Sequence, residues 1–394
     1  MIHDNDEFWE WVYRNINDDV LSLRLRNHGK DEWIDAAITQ IECRRRCNRK
    51  LTDTLKCRHF VFPSTLSAEQ CTSDILADFH AGLVDDCANV LDMTCGLGID
   101  TFHIARKASS VTAVELNSDT AEAAAHNAKA LSLSNVTILH GDSTSYLKEC
   151  DKRFDTIFID PARRGDAGQR LFALSDCRPD VTALLPDISA HCRKLIVKAS
   201  PMLDVTHTLR ELPMTRDIYI VGNTRECKEL VSVVDFTNDT NDVTIHAWTS
   251  GDDFSYTPSQ ESEAAVEFGV PEDGWYLYEP YPAIMKCAPY KLLSSRFGIK
   301  KLHPNTHLYT SSSPVDMFPG ERWKIERVIP FASSELKRFS RKYPQINLAV
   351  RNFGWSADKL KAKLKVKDGG DKRLIGATIT GDIKIMLVLC KDEH

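Results

Sequence analysis

The chain has 394 residues, of which 42% are hydrophobic and 27% charged, a balance that suits a globular protein with a sizeable core and excludes a disordered chain. No apolar run approaches the roughly 20 residues of a membrane span, and the acidic, aromatic start MIHDNDEFWEW lacks a basic segment leading into an apolar one, so a cytosolic protein without a signal peptide is expected. The net charge of −6 hides a split, because from Glu321 onward 17 Lys or Arg stand against 9 Asp or Glu; such a tail is either a solvated surface or a face for nucleic acid.

Residues before about Asp86 read as helical. DEWIDAAITQIECRRRCNRKL sets Trp33, Ala36, Ile38 and Ile41 at helical spacing. Ser67 to Gln70 reads as a capping box, with a helix through Ile75, Leu76 and Phe79 to follow. From Asn89 strands and helices alternate: strand VLDM, helix Gly98 to Ala108, strand VTAVEL, an Ala-rich helix Ser118 to Leu131, then strands VTILHG and DTIFIDP. A helix at Val181 to His191 precedes the strand RKLIVKAS. This alternation implies a buried, mostly parallel sheet with helices on both faces. RDIYIVG and KELVSVVDF, parted by a short turn at Gly222-Asn223, read as an antiparallel hairpin. After Phe236 the polar stretches TNDTNDV and SGDDFSYTPSQESEAA mark a boundary. A smaller α+β region starts near WYLYEPYPA, a junction falls near residue 318, and GATITGDIKIMLVLCK reads as a closing hairpin. The domains expected are 1–82, 83–236, 237–320 and 321–394.

The chemistry concentrates where strands end. In VLDMTCGLGIDTFHIA the strand ends at Asp92, and Gly96 and Gly98 allow a ligand to approach the backbone closely where a helix opens. Thr101 occupies the third position of GxGxxG, so no complete dinucleotide fingerprint exists. Glu115, ending the next strand, can accept two ribose hydroxyls, and Asp142 follows the third strand. Ligands of open α/β sheets bind at these carboxyl ends. The fourth strand leads into Asp160-Pro161-Ala162-Arg163-Arg164-Gly165, whose arginines could clamp a phosphate or form a salt-bridged loop.

Other groupings are weaker. The twelve cysteines contain no CxxC pair and read as reduced thiols. Cys43, Cys47, Cys57 and His59 fit no common zinc spacing, and free thiols are the better reading. Arg44, Arg45, Arg46, Arg49 and Lys50 read as a solvated helix face that could flank a polyanion. Trp275, Tyr276, Tyr278 and Tyr281 could stack bases, though packing is the simpler role.

Val90 to Ala105 resembles motif I of class I S-adenosylmethionine-dependent methyltransferases, in a form similar to enzymes acting on RNA. DPARRG resembles motif IV, nearer the DPPR-G of RNA methyltransferases than the DPPY of amino-methylating enzymes. Gln70-Cys71-Thr72-Ser73, TRECKELV and LKVKDGGDKRLIG resemble a bacterial methyltransferase group with a C-terminal THUMP-like domain. The resemblance implies a Rossmann-like α/β core whose mostly parallel seven-stranded sheet ends in an antiparallel hairpin, a helical N-terminal region, a ferredoxin-like unit and a THUMP-like domain. It implies S-adenosyl-L-methionine as cofactor, held by Thr72, Ser73, Asp92, Thr94, Gly96, Gly98, Thr101, Glu115, Asn117, Asp142 and Ser143. Asp160, Pro161 and Arg163 would be catalytic, no metal is called for, and structured RNA, ribosomal or transfer, would be the acceptor and partner. Two departures stand out. Arg163 replaces the aromatic of DPPY, and Lys198-Ala199-Ser200-Pro201 lacks the cysteine that uracil-C5 enzymes carry near the end of strand five. The rival readings are a methyltransferase for a protein or small molecule, and a non-catalytic, cofactor-sensing RNA-binding protein.

Overall fold

The computed structural model describes residues 4–27, 31–163, 173–237 and 242–392, with Arg163 described by its backbone alone. It divides into two compact units, Met1–Arg216 with Val231–Asn241, and Asp217–Leu230 with Asp242–His394.

The first unit opens with helices Asp6–Arg14, Val20–Asn27 and Glu32–Cys47. Phe8, Trp9, Val12, Leu23, Ile38 and Ile41 form their shared core. The extended segment Phe60–Phe62 is gripped from both sides. The Gln40 amide bonds both backbone groups of Phe62 at 2.9 Å, and the Asn127 amide bonds those of Val61 at 2.7 and 2.9 Å. Two buried amides thus do for this segment what a neighbouring strand would do.

Two local expectations are corrected here. Ser64, not Ser67, caps the helix Thr65–Gln70, accepting from the Ser67 N–H at 3.1 Å, and Ser73 caps the next helix, Asp74–Leu83. Ser67 therefore lies inside the first turn, where it cannot cap. The arginine run is not simply a solvated face either. Arg44 is buried, donates to the Arg58 and Phe60 carbonyls at 2.7 Å each, and stacks on Trp9. Arg46 is ion-paired with Glu42 and Glu69, and Arg45 bonds the Asp18 carbonyl.

The strands that follow are β1 (Asn89–Asp92), β2 (Ser110–Glu115), β3 (Val136–His140), β4 (Phe154–Ile159), β5 (Ala162–Arg163), β6 (Cys177–Arg178) and β7 (Cys192–Ala199). All-parallel pairing gives the order β7-β4-β1-β2-β3, while β5 and β6 form a short ladder of their own. The central strands β1, β4 and β7 are buried along nearly their whole length because helices cover both faces. One face packs Leu91, Met93, Ile157 and Val197 against the helices Ser143–Glu149 and Val181–His191. The other packs Cys95, Leu97, Phe102 and Ala124 with Phe60 and Phe62 of the N-terminal region.

The chain passes into the second unit within β8 (Thr215–Gly222) and returns within β9 (Cys227–Asp235). The turn between them is closed by the Asn223 N–H donating to the Glu226 carbonyl at 3.0 Å. A Cβ at Gly222 would lie 2.5 Å from that carbonyl, so glycine is required. The division between the units at Asn241 and Asp242 falls within the polar stretch TNDTNDV, and two strands not read from the sequence follow it. β10 (Thr244–Thr249) pairs in parallel with β8, and β11 (Asp252–Tyr256) pairs antiparallel with β10.

A second sheet contains β12 (Tyr276–Pro280), β13 (Lys300–His303), β14 (Thr306–Ser311), β15 (Gly320–Pro330), β16 (Asn347–Arg351), β17 (Arg373–Ile379) and β18 (Ile383–Lys391), in the order β13-β14-β12-β15-β18-β17-β16. β12 pairs with β15 across the junction near residue 318, so the segments on either side share one sheet. The closing hairpin read from the sequence is β17–β18. Helices Ser333–Lys342 and Ala357–Leu364 cover one face through Leu336, Phe339, Leu360 and Leu364. Tyr278 is fully buried with its hydroxyl near Ser311, a packing role rather than a base platform. No described helix is long and apolar enough to cross a membrane.

Candidate active site

The turn after β1 is built around a buried carboxylate. Asp92 accepts from the Thr94 N–H at 2.9 Å and from Thr101 Oγ1 at 2.5 Å. Burial pushes its carboxyl up to about 7, against the pull of those two donors. Asp92 and Thr101 thus hold the turn from inside. Gly96 and Gly98 both take positive φ, +55° and +91°. They differ in surroundings. A Cβ on Gly96 would meet only the Thr94 carbonyl at 4.0 Å, whereas one on Gly98 would lie 2.4 Å from the Phe102 ring. Gly96 faces open space and Gly98 serves packing.

Glu115, at the end of β2, accepts from the Gly96 N–H and the Asn117 N–H, both at 2.8 Å. It therefore ties the second strand to the turn of the first. Asn117 caps the helix Ser118–Ala130. Asp142 caps the helix Ser143–Glu149, bonding both the N–H and the hydroxyl of Thr144 at 2.8 Å, and these bonds, hydroxyl first, lower its carboxyl. Asp142 is exposed and Ser143 buried.

Asp160 follows β4, and its N–H donates to Thr94 Oγ1 at 2.7 Å, joining the fourth strand end to the first. Its carboxylate accepts from Lys198 Nζ at 2.7 Å. Lys198 also donates to Thr72 Oγ1 at 2.8 Å and lies 3.5 Å from Asp100. Asp100 in turn accepts from Thr72 at 2.5 Å and lies 2.7 Å from His80 Nδ1. Burial would raise the Asp100 carboxyl, but Lys198 and His80 outweigh it and hold it well below the usual range. Sequence reasoning named Thr72 and Asp160 but missed Lys198, Asp100 and His80, whose partners are distant in the chain. Their one local signal was a lysine at the end of an apolar strand.

Pro161 is buried, and Ala162–Arg163 pairs with Cys177–Arg178. The Arg163 side chain, Arg164 and Gly165 lie outside the described residues. Among the described residues no group of three or more His, Cys, Asp and Glu could hold a metal. Cys43, Cys57 and His59 face the Ser64 carbonyl, the Ala130 carbonyl and Asp4 respectively.

Residues 90–165 match the methyltransferase domain family, 276–319 a ferredoxin-like domain and 320–391 a THUMP domain-like family. Over its whole length the chain is 32% identical to a crystallised candidate methyltransferase from Porphyromonas gingivalis W83, covering 100% of both chains with a TM-score of 0.89. The chain belongs to this family of class I methyltransferases with a C-terminal THUMP-like domain. Curated relatives match its core. An uncharacterized RNA methyltransferase of Mycoplasma mobile is 34% identical over 150 residues, which are 37% of this chain and 41% of that protein. The 23S rRNA (uracil(1939)-C(5))-methyltransferase RlmD of Pectobacterium atrosepticum is 39% identical over 82 residues, 20% of this chain and 18% of that protein. The chain thus spans less than half the length of these curated relatives. Within the methyltransferase domain the acidic strand ends and the Lys198–Asp160 pair lie at the carboxyl edge of one parallel sheet.

Proposed function

We propose that this methyltransferase transfers a methyl group from S-adenosylmethionine to structured RNA, ribosomal or transfer. The observation that carries the reading is the bond from the Asp160 N–H to Thr94 Oγ1, which sets the acceptor-side carboxylate against the turn that would hold the donor. The residues fit such a cofactor. Gly96 leaves open space above the turn, and Glu115 and Asp142 supply carboxylate acceptors at adjacent strand ends for ribose hydroxyls and an adenine amine. When bound, S-adenosylmethionine supplies an electrophilic methyl on a sulfonium, leaving the protein to orient and desolvate. Asp160, with a side chain 41% exposed, can receive a hydrogen bond from an acceptor N–H or O–H, and the proton displaced on methylation passes to it or to solvent. Lys198 holds that carboxylate in place through the hydrogen bond between them.

The uracil-C5 chemistry in the name of the Pectobacterium relative does not extend to this site. No cysteine stands among Lys198, Ala199, Ser200 and Pro201 at the end of β7. RNA carrying 5-fluorouridine is therefore expected to form no covalent adduct; a denaturation-stable protein–RNA band would contradict this.

RNA as acceptor rests on the curated relatives' names, on the THUMP-like match and on surface charge. Lys337, Arg338, Arg341 and Lys363 project from the two helices over the second sheet, exposed and without an ion pair among the described residues. Such a face suits phosphates. The test is nucleoside mass spectrometry of RNA from cells with and without the gene. One methylated nucleoside should vanish on deletion; an unchanged profile would overturn the reading.

A further inference from the structure

A cleft of about 830 Å³ lies within the second unit, and its lining includes none of the strand-end residues described above. It gathers three segments that the methyl-transfer chemistry leaves unused: the β8–β9 turn at Thr224 and Arg225, the Pro- and Tyr-rich run around Tyr281, and Arg373 at the head of β17.

Its floor is a fixed array of charge. Glu279 and Glu321 stand directly opposite each other in the β12–β15 ladder, where like charges repel. Two arginines resolve the conflict. Arg351 Nε donates to Glu279 at 2.7 Å, and Arg373 bridges Glu279 and Glu321 at 2.8 Å each. Planar guanidinium and carboxylate groups held this way offer donors and acceptors in fixed directions, suited to the edge of a planar heterocycle. The rim is basic. Arg225 is exposed on its turn without an ion pair among the described residues, and Lys286 is also part of the lining. Four cations, Arg225, Lys286, Arg351 and Arg373, face two carboxylates, Glu279 and Glu321, so this part of the lining carries a net charge of +2. One wall is apolar, formed by Tyr281 between Pro280 and Pro282. A purely apolar ligand would make no use of these polar groups, and a cation would meet the net positive charge. An anion with an aromatic, hydrogen-bonding body satisfies all three surfaces, and the volume falls within the roughly 300–1,000 Å³ of small-ligand pockets.

We infer that this cleft binds a single-stranded nucleotide of the RNA acceptor, with phosphate on Arg225 and Lys286, the base against Tyr281 and its edge over the Arg–Glu floor. The inference rests on the reading of the acceptor as RNA. It assigns the second unit a site for an unpaired nucleotide, distinct from the phosphate-binding face of the basic helices.

The full chain would be titrated against a fluorescein-labelled single-stranded RNA of about 12 nucleotides, with S-adenosylhomocysteine affinity measured in parallel. Arg225→Ala together with Lys286→Ala should weaken the RNA probe at least tenfold and leave the cofactor product's affinity within twofold. A 4-thiouridine version of the probe should cross-link to the peptide containing Tyr281. Tight RNA binding by the double variant, with no cross-link at Tyr281, would overturn the cleft assignment while leaving RNA methylation standing. If the unaltered protein binds S-adenosylhomocysteine but neither binds nor methylates RNA, the functional reading fails and this inference falls with it.

Discussion

Lys198 and Asp160 form an ion pair at the proposed site, yet their substitutions should be told apart by stability. Lys198 is buried beside Asp100, so Lys198→Met strands a buried carboxylate and is expected to cost roughly 3 kcal/mol in unfolding free energy. Asp160 is partly solvated, so Asp160→Asn should leave the melting temperature nearly unchanged while slowing methyl transfer about a hundredfold or more. Calorimetry with a methyl-transfer assay checks both; a strongly destabilised Asp160→Asn would mean that the pair is structural. The two turn glycines make a second contrast. Gly98→Ala drives a methyl into the Phe102 ring and should destabilise by roughly 1–3 kcal/mol. Gly96→Ala meets no such wall and should cost about 1–2 kcal/mol through its backbone conformation, with weaker S-adenosylhomocysteine affinity as its main effect. Equal binding by the two variants would refute that division. At this scale the positions of Glu115 and Asp142, at or just past strand ends, were legible because the apolar strands before them were. Lys198 could not, because Thr72 and Asp160 lie 126 and 38 residues away and no local pattern encodes such pairings.

Strands and helices of the core followed from periodicity because buried parallel strands are continuous apolar runs and their crossover helices are not. The elements missed were ones whose signals are weak or shared. Thr244–Thr249 alternates buried Ile245 and Ala247 with polar or aromatic neighbours, but a polar run precedes it and concealed the strand. Ser64 and Ser67 both suit a helix cap, and only the backbone geometry distinguishes them. The added strands carry a pH-sensitive cluster. His246 on β10 lies 2.8 Å from Asp253 on β11 and 3.4 Å from Asp217 on β8, stacked on Tyr219. Burial alone would lower its pKa, but the two carboxylates outweigh it and raise it to about 9. A raised histidine contributes stability that is fully present below its unfolded value of about 6.5 and is lost as pH climbs through about 9. Wild type should therefore lose on the order of 2 kcal/mol across that window relative to His246→Asn. Parallel losses in both proteins would show that the histidine does not act this way.

The molecule joins a methyltransferase domain to a basic C-terminal sheet, and its net negative charge conceals that division of surface. The split was legible from residue counts, whereas the shared sheet across residue 318 was not, since the pairing of β12 with β15 depends on register across a turn. If the basic helices track phosphates, replacing Lys337, Arg338, Arg341 and Lys363 with Glu should reduce the dependence of log affinity on log salt by about 0.7 to 0.9 for each phosphate no longer neutralised. An unchanged slope would place the phosphate-binding residues elsewhere. The central claim is tested most directly by transfer of labelled methyl from S-adenosylmethionine to protein-free total RNA from a strain lacking the gene. Label should appear in one RNA size class and disappear with Asp160→Ala. No label in RNA, from protein that still binds S-adenosylhomocysteine, would contradict an RNA acceptor.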